Sequence, residues 1–230
     1  MINKSQDEQK TTGKKVIIAC SVMKPELEAI IEGDSSFELR YLDSTLHDTP
    51  KKMPELLQQE IDAVESYATQ IVLGYGFCSN GIAGVKAPRQ GIIVPRVHDC
   101  IALFIGSIKA YDSQFKAHPG TYYLTPGWLE EDRDPLGYME KDYVPKMGRE
   151  KAEMGTKLTF AQYSHITLID TGVKDLAPMR EIGQKNAKFL DLEYNEIDGT
   201  HEYFIKILYG PHDEKNFIHF KENEIITIDF

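Results

Sequence analysis

The sequence predicts an α/β fold built on a mostly parallel sheet with helices on both faces. Three observations carry that expectation. Short β-branched runs alternate with stretches of helical spacing along most of the chain. The runs at 15–20, 70–74 and 91–95 are nearly continuous in apolar residues, as strands buried on both faces are. The first and fourth runs lead into cysteine-bearing segments that open helical stretches, the register of a strand feeding a crossover helix.

The elements follow in order. The run ending at Cys20 is the first strand, and Pro25 opens a helix through Ile31. After a turn at 33–36, the alternating run from Phe37 to Leu42 is a second strand. Apolar residues at Leu56, Leu57, Ile61 and Val64 predict a helix over 53–67, with Pro54 at an early position. The third strand, 70–74, runs into a glycine-rich loop holding Gly74, Gly76, Cys78, Asn80 and Gly81. The fourth, 91–95, ends near His98, Asp99 and Cys100, and one helix over 101–115 is expected, with Asp99 as its cap. Residues 121–124 read as a fifth strand, followed by the loop to Trp128.

Residues 130–148 are acidic, rich in proline, glycine and tyrosine, and without a period; they read as a lid or a surface connection. Helices are expected over 151–163, 176–190 and 201–208, and strands over 166–170 and 192–197. Residues 217–220 and 225–230 read as a closing pair of strands. Residues 1–13 are polar and charged and are expected to be a flexible tail. Residues 14–230 form one α/β domain in this reading, with a candidate seam near 150 that would divide it into two lobes.

Composition narrows the function classes. The 230 residues carry a formal net charge of −10, with 41% hydrophobic residues, enough for a sizeable core. The acidic balance and scattered basic residues argue against nucleic acid, which needs clustered Lys and Arg. No apolar run reaches the ~20 residues of a membrane span. The N-terminal stretch lacks the apolar core of a signal peptide, so a cytoplasmic location, with no membrane partner, is expected. A reducing compartment disfavours disulfides, and three cysteines cannot all pair within one chain.

The placement of those cysteines is the informative feature. Cys20 ends the first strand, Cys78 follows the third, and Cys100 follows the fourth at a helix start. In parallel sheets, loops at the carboxyl ends of the strands share one edge, where ligands bind. Helix N-termini favour the thiolate, and thiolates hold zinc or iron–sulfur clusters. His98 is a candidate fourth ligand, and His201 another. The alternative reading makes the cysteines small core residues, most readily for Cys20 with its apolar neighbours. Gly76 and Gly81, with Asn80 between them, let the backbone approach a ligand or metal; the spacing fits neither a dinucleotide-binding turn nor a P-loop. Trp128 either lines a pocket or packs in the core. His47, His165, His212 and His219 read as surface or satisfied core residues.

Taken together, the segments around Cys20, 73–81, 95–107 and 120–128 resemble the family known as domain of unknown function 1638, with His98-Asp99-Cys100 the most specific part of the likeness. The resemblance extends from about residue 15 to about residue 198. It implies an anaerobic or methanogenic source and a role beside corrinoid-dependent methyltransferases in one-carbon metabolism, with a corrinoid protein or a methyltransferase as partner. It also implies Cys20, Cys78, His98 and Cys100 as signature residues. It supplies no reaction.

Three functions therefore compete. The first is a zinc or iron–sulfur protein that acts in or supports corrinoid-dependent methyl transfer. The second is a metal-free cysteine acid–base enzyme of racemase type, with two thiols on opposite faces of a substrate carbon. The third is a non-catalytic accessory protein or chaperone for a corrinoid protein.

Overall fold

The structure is a computed structural model and describes residues 13–77 and 80–227. Among these residues the strands are β1 (Lys14–Cys20), β2 (Phe37–Leu42), β3 (Ala68–Gly74), β4 (Ile92–Pro95), β5 (Thr121–Leu124), β6 (His165–Asp170), β7 (Glu193–Asp198) and β8 (Phe217–Phe220). They form two sheets. One has the order β2-β1-β3-β4-β8 and the other β5-β6-β7. Every pairing is parallel except β4 with β8. The mixed α/β architecture expected from the sequence is therefore present.

The first sheet is anchored where the sequence is most apolar. Val16 to Cys20 of β1 and Ile71 to Gly74 of β3 are buried along their whole length. Full burial of a Val, Ile or Leu side chain stabilises by ~1.5–3 kcal/mol, so these runs have no competing solvent-exposed register. Ile17 pairs with Leu39 on one side and with Val72 on the other. The chain thus lays β2 on one flank of β1 and β3 on the opposite flank. That reversal opens a crevice at the carboxyl ends of β1 and β3.

Helices α1 (Lys24–Ile31) and α2 (Met53–Val64) start with prolines in their first turn, as read from Pro25 and Pro54. The single helix expected over 101–115 is instead two, α3 (Ile101–Ile105) and α4 (Ile108–Ala117). Gly106 ends α3 with φ 93°, and a Cβ there would meet Thr200 Oγ1 at 2.3 Å. Ser107 then caps α4 by accepting a hydrogen bond from Ala110 N at 3.1 Å.

The segment 130–148, expected to lack regular structure, holds short helical turns: the end of α5 (Pro126–Glu130), then α6 (Pro135–Tyr138), a π turn over Met139–Tyr143 and α7 (Val144–Met147). Thr125 and Asp134 cap the starts of α5 and α6. Elements this short show no measurable period in sequence, which is why the pattern hid them. Beyond them run α8 (Arg149–Thr159), α9 (Leu176–Leu190) and α10 (Glu202–Tyr209). The expected closing strand pair is not formed by its two members together. β8 pairs with β4, and within the described part of 225–230 Ile225 makes an isolated bridge to Lys86.

The second sheet lies between β4 and β8 in sequence, so residue 150 falls inside its half of the chain, in α8. Two cores result. One surrounds the first sheet, and a smaller one lies between α9 and the second sheet, centred on Leu124, Ile166 and Leu168. Trp128 packs against both. At the junction, the space that a Cβ on Gly127 would occupy is 2.0 Å from Val22 O, an approach only glycine permits. Among the described residues no helix is long and apolar enough to cross a membrane.

Candidate functional site

A cavity of about 570 Å³ opens where the carboxyl ends of the first sheet meet the second. Its first wall comes from segments that follow strands: Val22 after β1, His47 after β2, and Asp99, Cys100 and Ile101 after β4. Its second wall is β5 and what flanks it, with Thr121, Tyr122, Tyr123 and Trp128. Tyr111 and Phe115 of α4 reach it from the side. A cavity at the carboxyl ends of parallel strands beside a strand-order reversal is where this sheet class binds ligands.

Cys20 closes β1 and is 2% exposed. Its Sγ lies 3.7 Å from His47 Nε2. His47 stands on the 3-10 turn Ser44–Asp48, whose entry is pinned by Asp43 accepting from Thr45 N and by Ser44 N donating to Ser21 Oγ. The imidazole meets the Trp128 ring edge to face, with centroids 6.1 Å apart. Burial, then the nearby Arg133 guanidinium, holds His47 below the ordinary histidine value.

Cys100 sits at the N-cap of α3 on the cavity wall. Beside it, Asp99 accepts from Ile101 N with Oδ1 at 2.9 Å and from the Tyr111 hydroxyl with Oδ2 at 2.8 Å. Asp99, expected as the cap, stands one residue before the N-cap Cys100 and bonds the first helical N–H. Burial and the bond to Asp99 hold the Tyr111 phenol well above its ordinary value, so it stays a donor. Tyr122 accepts from Trp128 Nε1 and donates to Arg133 O, which fixes both rings against the cavity.

The segment 130–148 lies against the same wall. Arg133, 8% exposed, donates from Nη2 to both carboxylate oxygens of Asp48, which is 41% exposed, at 2.9 and 3.0 Å. Its guanidinium also stands 5.7 Å from the Trp128 ring centre and 4.8 Å from that of Tyr138. Ser44 donates to Glu131. A side cavity of about 250 Å³ separates this segment from His47 and Trp128.

The residues predicted from sequence are distributed as follows. Cys20 and Cys100 lie at the strand ends as expected, and Trp128 lines the cavity. Cys78 lies outside the described residues, so the three-sulfur geometry does too. His98 is exposed. His201 stands at the start of α10 with Nε2 buried and without a hydrogen-bond partner among the described residues. Gly76 makes its close approach to protein: a Cβ there would lie 2.7 Å from the Asp99 backbone. Asn80 takes φ 61°, and neither it nor Gly81 is part of the cavity wall. Among the described residues no group of three or more His, Cys, Asp or Glu is spaced to hold a metal.

Sequence reasoning missed His47 and the tyrosines. His47 follows β2 as the cysteines follow β1, β3 and β4, so the strand-end argument applied to every strand would have found it.

The family model described as a protein of unknown function (DUF1638) matches residues 41–208. That span includes His47, Cys78, Cys100 and Trp128 and begins after Cys20. No match was found among the curated proteins or among the solved structures.

Proposed function

The chain belongs to the DUF1638 family, and from that premise we propose that it is a thiolate metal-binding protein acting in or supporting corrinoid-dependent methyl transfer. In this reading Cys20, Cys78 and Cys100 hold zinc or an iron–sulfur cluster, and the cavity beside them receives a small molecule. The carrying observation is the 3.7 Å separation of Cys20 Sγ and His47 Nε2 at the mouth of the strand-order reversal. Two ligands on one tetrahedral zinc, at ~2.3 Å for sulfur and ~2.0–2.1 Å for nitrogen, stand ~3.6 Å apart. The donor pair therefore fits, and His47 joins His98 as a candidate imidazole ligand.

Such a metal, when bound, supplies Lewis acidity or stabilises a substrate thiolate. The chain supplies the surroundings. Trp128 and Tyr122, joined by a hydrogen bond, form the His47 side of the wall, and Asp99 is the one carboxylate on that wall among the described residues. The Cys20–His47 contact also favours a second reading, metal-free thiol chemistry with His47 as the base. A non-catalytic role as an accessory to a corrinoid protein is the third. Anaerobic purification followed by zinc and iron analysis separates them. Stoichiometric metal that disappears in Cys78→Ala supports the proposal. Metal-free protein with an alkylatable Cys20 moves the reading to the second. Metal-free protein that co-purifies with a corrinoid protein moves it to the third.

A further inference from the structure

We infer that the cavity beside the thiols binds an organic cation, an alkylated ammonium group carried on a small apolar body. The inference rests on taking that cavity as the ligand site of the proposed function, and deepens it by naming the ligand class.

The wall chemistry points to this class. Seven aromatic side chains, Phe104, Tyr111, Phe115, Tyr122, Tyr123, Trp128 and Tyr163, border the space. Aromatic faces carry negative potential and attract cations that have shed water, and quaternary ammonium groups are the ligands such walls suit best. The formal charges on the wall agree. Among the described residues Asp99 is its only Asp or Glu, and no Lys or Arg lines it. The Arg133 guanidinium, over the Trp128 ring, is paired with Asp48. A phosphate or carboxylate ligand would meet a carboxylate and no counter-charge, so anionic ligands are disfavoured.

The Asp99 carboxylate is itself held in place. Ile101 N fixes one oxygen and the Tyr111 hydroxyl the other, and neither donor carries a charge. Among the described residues the negative charge is therefore oriented by its hydrogen bonds without being neutralised by an ion pair, which is what a cation site requires. The phenol that donates to it is held protonated by burial and by that bond. The volume of about 570 Å³ exceeds a bare tetraalkylammonium and leaves room for an apolar body against Phe104 and Phe115. Phe115, 55% exposed and stacked on Tyr111, stands at the rim.

Calorimetric titration with choline and with its neutral isostere 3,3-dimethylbutan-1-ol tests this directly, since the two differ in charge and scarcely in shape. The intact chain is used as purified, with its zinc and iron content measured on the same sample. Choline is expected to bind about tenfold tighter than the alcohol, the scale of a desolvated cation–π and charge contribution. Asp99→Asn, which keeps the shape and the acceptor for Ile101 N while its amide nitrogen can donate to the Tyr111 hydroxyl, is expected to remove most of that preference while leaving the alcohol unchanged. Equal binding of the two compounds, tighter binding of the alcohol, or no binding of choline overturns the inference. A preference that survives intact in Asp99→Asn overturns the role given to the carboxylate. Metal-free protein that prefers choline sinks only the metal reading, whereas metal-loaded protein that does not prefer it sinks only the cation site.

Discussion

Replacing Glu26 with glutamine is expected to flatten the pH dependence of stability in a way no other single change here would. Glu26 lies on α1 and is fully buried between the two halves of the molecule. Its Oε1 accepts from Thr171 Oγ1, just beyond β6, at 2.7 Å. Its Oε2 is buried without a hydrogen-bond partner among the described residues. Burial is the largest influence and lifts the carboxyl from its ordinary 4.5 to about 7, against the opposing pull of the Thr171 bond; Glu130 adds to the rise and Lys174 reduces it. An acid raised in this way holds its proton in the folded chain after the unfolded chain has released it. Its contribution is therefore fully present below pH ~4.5, is lost as pH rises toward ~7, and stays lost above that. At ~1.4 kcal/mol for each pKa unit the loss is about 3 kcal/mol. Glutamine keeps the shape and cannot ionise, so any cost of its unpaired amide is the same at every pH. Urea unfolding of wild type and Glu26→Gln at pH 4 and pH 8.5 should show the difference between them move in favour of the variant by about 3 kcal/mol. Parallel stability profiles would refute the reasoning.

Three further outcomes follow from the same geometry. His47→Ala should weaken zinc binding by at least about tenfold, since losing even an outer partner of a metal ligand costs that much; unchanged metal content and affinity would remove His47 from the ligand set. Gly127→Ala forces a Cβ against Val22 O, a backbone atom, and should lower stability by ~1–3 kcal/mol, read as a fall in thermal midpoint; an unshifted midpoint would mean that the two halves do not meet as described. Arg133→Leu removes an ion pair and two ring contacts while leaving Asp48 open to water, so a loss of ~1–3 kcal/mol in urea unfolding is expected, and a stabilised variant would contradict it.

What the sequence made legible follows from how each element is buried. β1, β3 and β4 are covered on both faces, so they appear as continuous apolar runs that few other structures produce. The break between α3 and α4 was present as Gly106-Ser107, a helix stop followed by a helix cap. It was hidden because Ile108 and Tyr111 continue the apolar spacing across it. The division into two sheets was not legible. Nothing local to Phe217–Phe220 says that it returns to pair with β4, because that pairing depends on the whole intervening second sheet.

The candidate site shows the same division between position and composition. Position located Cys20 and Cys100 correctly, because parallel strands bring their carboxyl-end loops to one edge. Composition does not single out His47: it is distant from every cysteine in sequence, yet it lies against Cys20. The cause is the order β2-β1-β3, which sets the segment after β2 directly beside the end of β1. The aromatic wall comes from β5 and α4, so segments after the first sheet's strands supply thiols and the second sheet's β5 supplies aromatic surface facing the same cavity. Neither half makes the site alone. The contacts that hold the halves in register, Gly127 on Val22 and Thr171 on Glu26, are accordingly part of the site's construction although neither Gly127 nor Glu26 lines the cavity.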